Sequence, residues 1–309
     1  MKHYNSINEY YKQKYGKKVY RLAISGGMTC PNRDGTLDTR GCIFCSAGGS
    51  GEFAACASLS VAAQLEQAKG RVREKAADSL YLAYFQPFTN TYAPVEELRG
   101  LYEAAIAPEE IVGLSVGTRP DCLPPEVLAL LAEINRQKPV TVELGLQTIH
   151  ESSAAYIRRG YPLSVYDRAV RKLHARGIRV ITHVILGLPH ETEEMMLETV
   201  AYVGQRTDGI KLQLLHVIEG TDLAEEYRRG VFEALSLDAY TRLLCRCIEL
   251  LPEHVVICRL TGDGDKRTLL APLWSADKKR VLNAINRSLE ENRIQQGSAV
   301  KNILYPQYL

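Results

Sequence analysis

The chain has 309 residues, of which 46% are hydrophobic and 24% charged. These fractions sit near globular averages and exclude a disordered chain, a collagen and a coiled-coil rod. The net charge of +2 hides an asymmetry: residues 1–21 hold six bases (Lys2, Lys12, Lys14, Lys17, Lys18, Arg21) against Glu9 alone, residues 259–309 hold nine bases against five acids, and the stretch between is acidic. Two basic ends on an acidic body point to an anionic partner at the ends.

The first segment, residues 1–18, reads as a basic, tyrosine-rich arm. It lacks the apolar run and small-residue cleavage site of a secretion signal, and no run approaches the ~18–20 apolar residues of a membrane span. A cytoplasmic chain with no membrane partner is expected. Tyr4, Tyr10, Tyr11, Tyr15 and Tyr20 are interleaved with lysines. Rings plus cations suit nucleic acid; they equally suit an amphipathic arm whose tyrosines pack on the body.

Beyond the arm, short apolar runs predict strands at Val19–Ile24, Leu80–Phe85, Ile111–Val116, Val140–Leu146, Val180–Leu186 and Ile210–Leu215. They are apolar on both faces, as buried parallel strands are. Between them, helices are predicted at Ser60–Ala77, Pro94–Ile106, Pro124–Gln137, Ser164–Arg176 and Thr192–Gln205, with a sixth at Leu237–Leu251. Ser164 and Asp167 read as a capping box, with Gly177 ending that helix. Six βα units imply a parallel sheet, either doubly wound or an open partial barrel. Both place the active site at the carboxyl ends of the strands. After Pro252 the pattern changes: a short strand at Val255–Leu260, the turn around Asp263 and Asp265 near Arg259, a polar helix at Ser275–Asn292 and an apolar end at Ile303–Leu309. Residues 19–252 are therefore read as the core and 253–309 as a C-terminal α+β extension that caps it.

Of the eight cysteines, only Cys30, Cys42 and Cys45 are grouped in a loop, TCPNRDGTLDTRGCIFC, directly after the first strand. Proline, asparagine and glycines keep this segment irregular, so backbone can wrap around a ligand. Three thiolates there fit a [4Fe–4S] cluster with one iron left open, a zinc site completed by another ligand, or three unrelated thiols. Cys245 and Cys247, two apart on a helix, make a poor chelate. Cys56 falls outside the motif, Cys258 reads as core, and Cys122 at the third strand end reads as a buried or cavity-facing thiol.

Cys30-x11-Cys42-x2-Cys45, with Phe44 before the last cysteine, resembles the radical S-adenosylmethionine (SAM) signature with a widened first spacing. CPNRDGTL, YFQPFTNTYAP, SVGTRPDCLP, ELGLQT, HVILGLPHET, and RLTGDG with APLWS resemble the YhcC/YtqA-like branch, related to the elongator catalytic subunit. The resemblance covers nearly the whole chain. It implies a partial (β/α)6 TIM-like barrel, a [4Fe–4S] cluster on Cys30, Cys42 and Cys45, and SAM chelated by the open iron. It also implies reductive cleavage to a 5′-deoxyadenosyl radical, with the electron coming from an external flavodoxin or ferredoxin. By the same resemblance Phe44 lies near the adenine, and Thr89 and Thr91 stand where relatives hold the methionine amino group, though without their glycines. Ser115 replaces a carboxylate of relatives, Gln147 matches a ribose-contacting glutamine, and Arg159 matches an arginine facing the SAM carboxylate. His183 occupies the place of a ribose-contacting aspartate. Glu143 is expected as a barrel-interior acid paired with a base. Arg119 either binds an anionic substrate group or pairs with Asp121. Cys122, Arg119 and His183 are the candidate catalytic groups. The resemblance implies tRNA as partner, with chemistry at C5 of a wobble uridine, from carboxymethylaminomethyl to aminomethyl. A small metabolite or peptide substrate, and a zinc-stabilised nucleic-acid-binding protein, are the alternatives.

Overall fold

Each of the six predicted βα units is present, and a seventh strand joins them. The computed structural model describes residues 3–49, 54, 57–72, 79–262, 264 and 266–300. The main sheet contains β1 (Val19–Ile24), β2 (Leu80–Phe85), β3 (Ile111–Thr118), β4 (Val140–Gln147), β5 (Arg179–Leu186), β6 (Gly209–Leu214) and β8 (Val256–Arg259), ordered as the chain runs. A doubly wound sheet reverses its strand order at a switch point. No reversal occurs here, so that alternative falls. By contact the chain forms two units: Asn8–Leu146 with Arg158–Ile181, and Met1–Ile7 with Gln147–Ile157 and Thr182–Leu309.

In the first unit, β1 pairs with β2, β2 with β3 and β3 with β4, all parallel. Helices α2 (Val61–Gly70), α3 (Val95–Ile106), α4 (Pro125–Gln137) and α6 (Leu163–His174) bury their apolar stripes. In α6 the buried residues are Tyr166, Ala169, Val170 and Leu173, the i, i+3, i+4, i+7 set of a one-sided helix. Its start differs from expectation. Pro162 is the N-cap, and Ser164 lies inside the helix, its hydroxyl accepting from Arg168 at 3.3 Å. No capping box forms. Gly177 ends the helix with φ 67°, as expected. Helix α2 stops at Gly70, short of the predicted Ala77; residues 73–78 lie outside the described set. The arm contains α1 (Ile7–Tyr15), which the sequence did not reveal as a helix. Tyr11 is buried, the Arg179 guanidinium lies 4.0 Å from the Tyr10 ring centroid, and Tyr15 donates to the Val112 carbonyl at 3.3 Å. The tyrosines thus face the body, while Lys12, Lys14, Lys17 and Lys18 are exposed.

In the second unit β6 pairs in parallel with β8, so the strand predicted at Val255–Leu260 belongs to the main sheet. Four short elements went unpredicted: α5 (Glu151–Tyr156), α8 (Asp222–Arg228) and the antiparallel pair β7 (Val217–Ile218) with β9 (Leu269–Ala271). Helices α7 (Glu193–Gly204), α9 (Leu237–Leu250) and α10 (Lys278–Glu291) carry side-chain N-caps from Thr192, Ser236 and Asp277. Such caps contribute about 1 kcal/mol each. Residues 3–6 are stitched to this unit. Ser6 bridges Ile257, the Ile257 amide donates to Asn5 at 2.8 Å, and Gln296 receives from the Asn5 amide at 2.8 Å. Among the described residues no helix is long and apolar enough to cross a membrane.

Candidate active site

The loop after β1 is shaped by its own backbone. The Arg33 amide donates to the Cys30 carbonyl (2.7 Å), Leu37 to Pro31 (2.8 Å), Gly41 to Asn32 (2.7 Å) and Cys45 to Cys42 (2.9 Å). Arg33 closes the loop by donating to the carbonyls of Cys45 (2.8 Å) and Ser46 (2.5 Å). A Cβ on Gly41, at φ 78°, would stand 2.9 Å from the Arg33 guanidine nitrogen, so glycine there gives Arg33 its path. The three sequence-predicted ligands sit in this loop. Burial and then the neighbouring Cys45 push the Cys42 thiol up to about 12, with Cys30 adding to the effect. Among the described residues no three His, Cys, Asp or Glu side chains are drawn together into a finished chelate.

A turn from the fourth βα unit meets the loop. Asn32, 2% exposed, donates through its amide to the Arg158 carbonyl at 2.7 Å and to the Cys42 sulfur at 3.5 Å. Gly160, at φ 81°, passes so close that a Cβ would lie 3.0 Å from the Asn32 side-chain oxygen and 3.3 Å from an Arg119 nitrogen. Gly160→Ala is therefore expected to cost about 1–2 kcal/mol from backbone strain alone. It should also displace Asn32, lowering iron retained per chain. Thermal unfolding and iron analysis check both.

Next to Gly160 stands Tyr161, buried, with the guanidiniums of Arg159 and Arg119 at 4.9 and 5.1 Å from its ring centroid. Its hydroxyl donates to the Gly145 carbonyl on β4. Arg159, 2% exposed, donates through Nε to the Tyr161 carbonyl at 2.9 Å. Arg119 is forked onto Asp121 at 2.9 and 2.8 Å, so of its two expected roles the pairing is realised. Cys122 is buried beside Asp121, and burial followed by that carboxylate pushes its thiol up to about 12. It is a neutral thiol at neutral pH. A cavity of about 390 Å³ is lined by Thr91, Tyr92, Ala93, Asp121, Cys122 and Pro124.

Comparison with known proteins decides the family. The profile of the Radical SAM superfamily matches residues 39–203, and that of the Radical_SAM C-terminal domain matches residues 207–291. The chain belongs to the radical SAM superfamily. It is 45% identical over 297 residues to YtqA of Bacillus subtilis, covering 96% of this chain and 92% of that one. It is 28% identical to a tRNA uridine(34) acetyltransferase of Dehalococcoides mccartyi, over 67% of this chain and 44% of that one. The solved structure of the archaeal Methanocaldococcus infernus Elp3 superposes with a TM-score of 0.69 at 17% identity, covering 93% of this chain and 68% of that one. The fold is the radical SAM partial barrel.

Radical SAM enzymes use a [4Fe–4S] cluster and SAM, and the donor set here fits the cluster. Three thiols on one irregular loop directly after β1 are the soft donors that iron–sulfur assembly requires. The zinc-binding alternative, a non-enzymatic one, is set aside by the family. A fit to SAM is supported by Gln147, at φ 71° on the end of β4, whose side-chain oxygen is shielded from solvent with no hydrogen-bond donor. A buried acceptor of this kind suits a ribose hydroxyl.

The remaining candidates are placed differently. Thr89 and Thr91 are buried after β2; the Thr91 hydroxyl is engaged by Thr118 (2.6 Å) and the Cys122 carbonyl (2.5 Å). Ser115 sits mid-strand and donates to Glu143 at 2.8 Å, and Glu143 is salt-bridged to Arg21 at 2.6 Å, which supplies the expected base. Phe44 is half-buried in the loop. His183 lies in the second unit, its Nδ1 3.3 Å from the Gln213 amide nitrogen. Cys258 is partly exposed, not core, near the end of the last strand of the sheet. Cys245 and Cys247 are buried in α9. Cys56, Asp263 and Asp265 lie outside the described residues; near the last two, Gly262 and Gly264 pack on the His216 ring. Sequence reasoning missed Asn32, Arg33, Gly160 and Tyr161. Asn32, Arg33 and Tyr161 act through partners far away in the chain or through backbone.

Proposed function

We propose that this radical SAM enzyme acts on tRNA, at the C5 side chain of a wobble uridine, converting carboxymethylaminomethyl-uridine to aminomethyl-uridine: the N–CH2 carbon of the carboxymethyl group is oxidised by two electrons with SAM as the oxidant, and water hydrolyses the resulting imine, breaking that C–N bond and releasing glyoxylate. The observation that carries the reading is the relationship to a protein named for acting on tRNA uridine 34, joined to exposed lysines along the arm. When bound, the cluster and SAM together supply a hydrogen-abstracting radical, with an external flavodoxin or ferredoxin as electron source. The chain's own residues do the rest. Cys30, Cys42 and Cys45 hold the cluster, and Arg33 and Asn32 fix their loop. Arg159, clamped against Tyr161, offers a guanidinium fork to the SAM carboxylate, and Gln147 accepts from the ribose. Phe44, Thr89, Thr91, Ser115 and His183 complete the proposed cofactor-facing set. Arg119 and Cys122 stand beside the loop as candidate reacting groups, Cys122 with its proton in place.

The test is anoxic. Reconstituted, reduced protein is given SAM and tRNA carrying carboxymethylaminomethyl-uridine, and nucleosides are read by mass spectrometry. Aminomethyl-uridine formed together with 5′-deoxyadenosine supports the reading. 5′-Deoxyadenosine with an unchanged nucleoside overturns it. That outcome leaves the cavity beside Cys122 as the place to look for a small metabolite or peptide substrate.

A further inference from the structure

On the outer side of α6, Arg168 and Lys172 are exposed four residues apart, with exposed Arg171 beside them and exposed Arg176 in the turn that follows the helix. Four-residue steps place side chains on one helical face. None of the four is held by a carboxylate among the described residues; Arg168 bonds Ser164 and Arg176 bonds the Lys172 carbonyl. An unbalanced line of four cations repels itself, and an anion from outside the chain would relieve it. The acids of the neighbouring elements do not neutralise it: Asp167 is half-buried on α6, and Glu133 on α4 is taken by Arg99 at 2.8 Å.

Both ends of the line are anchored. At its start, α6 follows Tyr161 directly, and Gly160 lies against Asn32 and Arg119 at the cysteine loop. At its finish, the Asn135 amide of α4 donates to the Gly177 carbonyl at 3.2 Å, which brings exposed Arg136 alongside. Two residues on, Arg179 stacks on Tyr10 at 4.0 Å, which sets α1 with Lys12 and Lys14 next in line. The 12 residues of α6 span about 18 Å at about 1.5 Å per residue.

We infer that the α6 face, continued by Arg136, Lys12 and Lys14, is a track for the phosphate backbone of the RNA substrate, leading away from the cysteine loop. The inference rests on the tRNA reading and adds where the strand lies. Lysine and arginine without acidic partners neutralise phosphates and release counterions, which makes affinity fall with salt. The track touches no proposed cofactor ligand.

The experiment compares wild type with Arg168→Glu/Lys172→Glu/Arg176→Glu, and with the milder Arg168→Gln/Lys172→Gln/Arg176→Gln, across a salt series. Binding of unmodified tRNA is followed by fluorescence anisotropy, and circular dichroism confirms that each variant folds. The track predicts at least tenfold weaker binding for the charge-reversed chain. For the neutral chain it predicts a log–log salt slope shallower by about 2, since each lost phosphate contact removes about 0.7–0.9. RNA-independent formation of 5′-deoxyadenosine should stay at the wild-type level in both. Wild-type binding with unaltered variants overturns the track while the tRNA reading stands, and hands this face to an acidic protein partner. No binding by the wild type at low salt overturns both.

Discussion

Replacing Arg21 with methionine is expected to destabilise the fold by about 3–5 kcal/mol, the usual cost of stranding one member of a buried ion pair. Glu143 has no exposed side-chain surface, Arg21 keeps 22%, and they meet at 2.6 Å between β1 and β4. Ser115 on β3 donates to the same carboxylate oxygen at 2.8 Å. Without the guanidinium, the buried carboxylate loses its 2.6 Å charge-assisted bond, which no neutral methionine replaces. The Arg21 face also covers the Tyr84 ring at 5.2 Å, so packing is lost with charge. The double change Arg21→Met/Glu143→Leu should recover most of the loss, because the pair leaves together. Thermal unfolding of the two variants checks this. A double variant as unstable as the single one would show that the pair itself, not the stranded charge, supplies the stability.

Cys42→Ala should abolish cluster assembly, and with it SAM cleavage, while leaving the chain folded. The residue it removes touches Asn32 at 3.5 Å and the Arg158 carbonyl at 3.7 Å. Iron and sulfide per chain should fall to background, and 5′-deoxyadenosine to below about one hundredth of wild type, since two thiolates do not hold a [4Fe–4S] cluster. Cys258→Ala, half-exposed on β8, should retain iron and cleavage. A Cys42→Ala protein that still binds four irons would remove this loop as the cluster site.

The strands and the cysteine loop were legible because their signals are local. β-Branched runs mark a buried strand without knowledge of its neighbours, and three cysteines in a glycine-rich loop declare themselves by spacing. What stayed hidden depends on partners distant in the chain. β8 looked like part of a separate extension, because its partner β6 lies some 45 residues earlier. Ser164 mimicked a cap, but Pro162 already fixes the helix start. α1 is too short and too polar to announce itself, and it gains its place by stacking Tyr10 on Arg179. Tyr161 reads as an ordinary apolar residue until two arginines are seen against its ring. Family likeness marked Arg159 as a candidate, whereas its packing against the Tyr161 ring had no local signal.

β8 is the last strand of the main sheet, and a last strand offers a row of unpaired backbone groups to any passing chain. Here the bridge from Ser6 to Ile257, with the Ile257 amide bonded to Asn5, lies along that strand. The segment before α1 thus acts as a selvedge: it finishes the fabric where it would otherwise fray into intermolecular pairing. Its worth is colloidal. A chain shortened past Ser6 would keep every proposed cofactor ligand and still lose its protection against edge-to-edge aggregation.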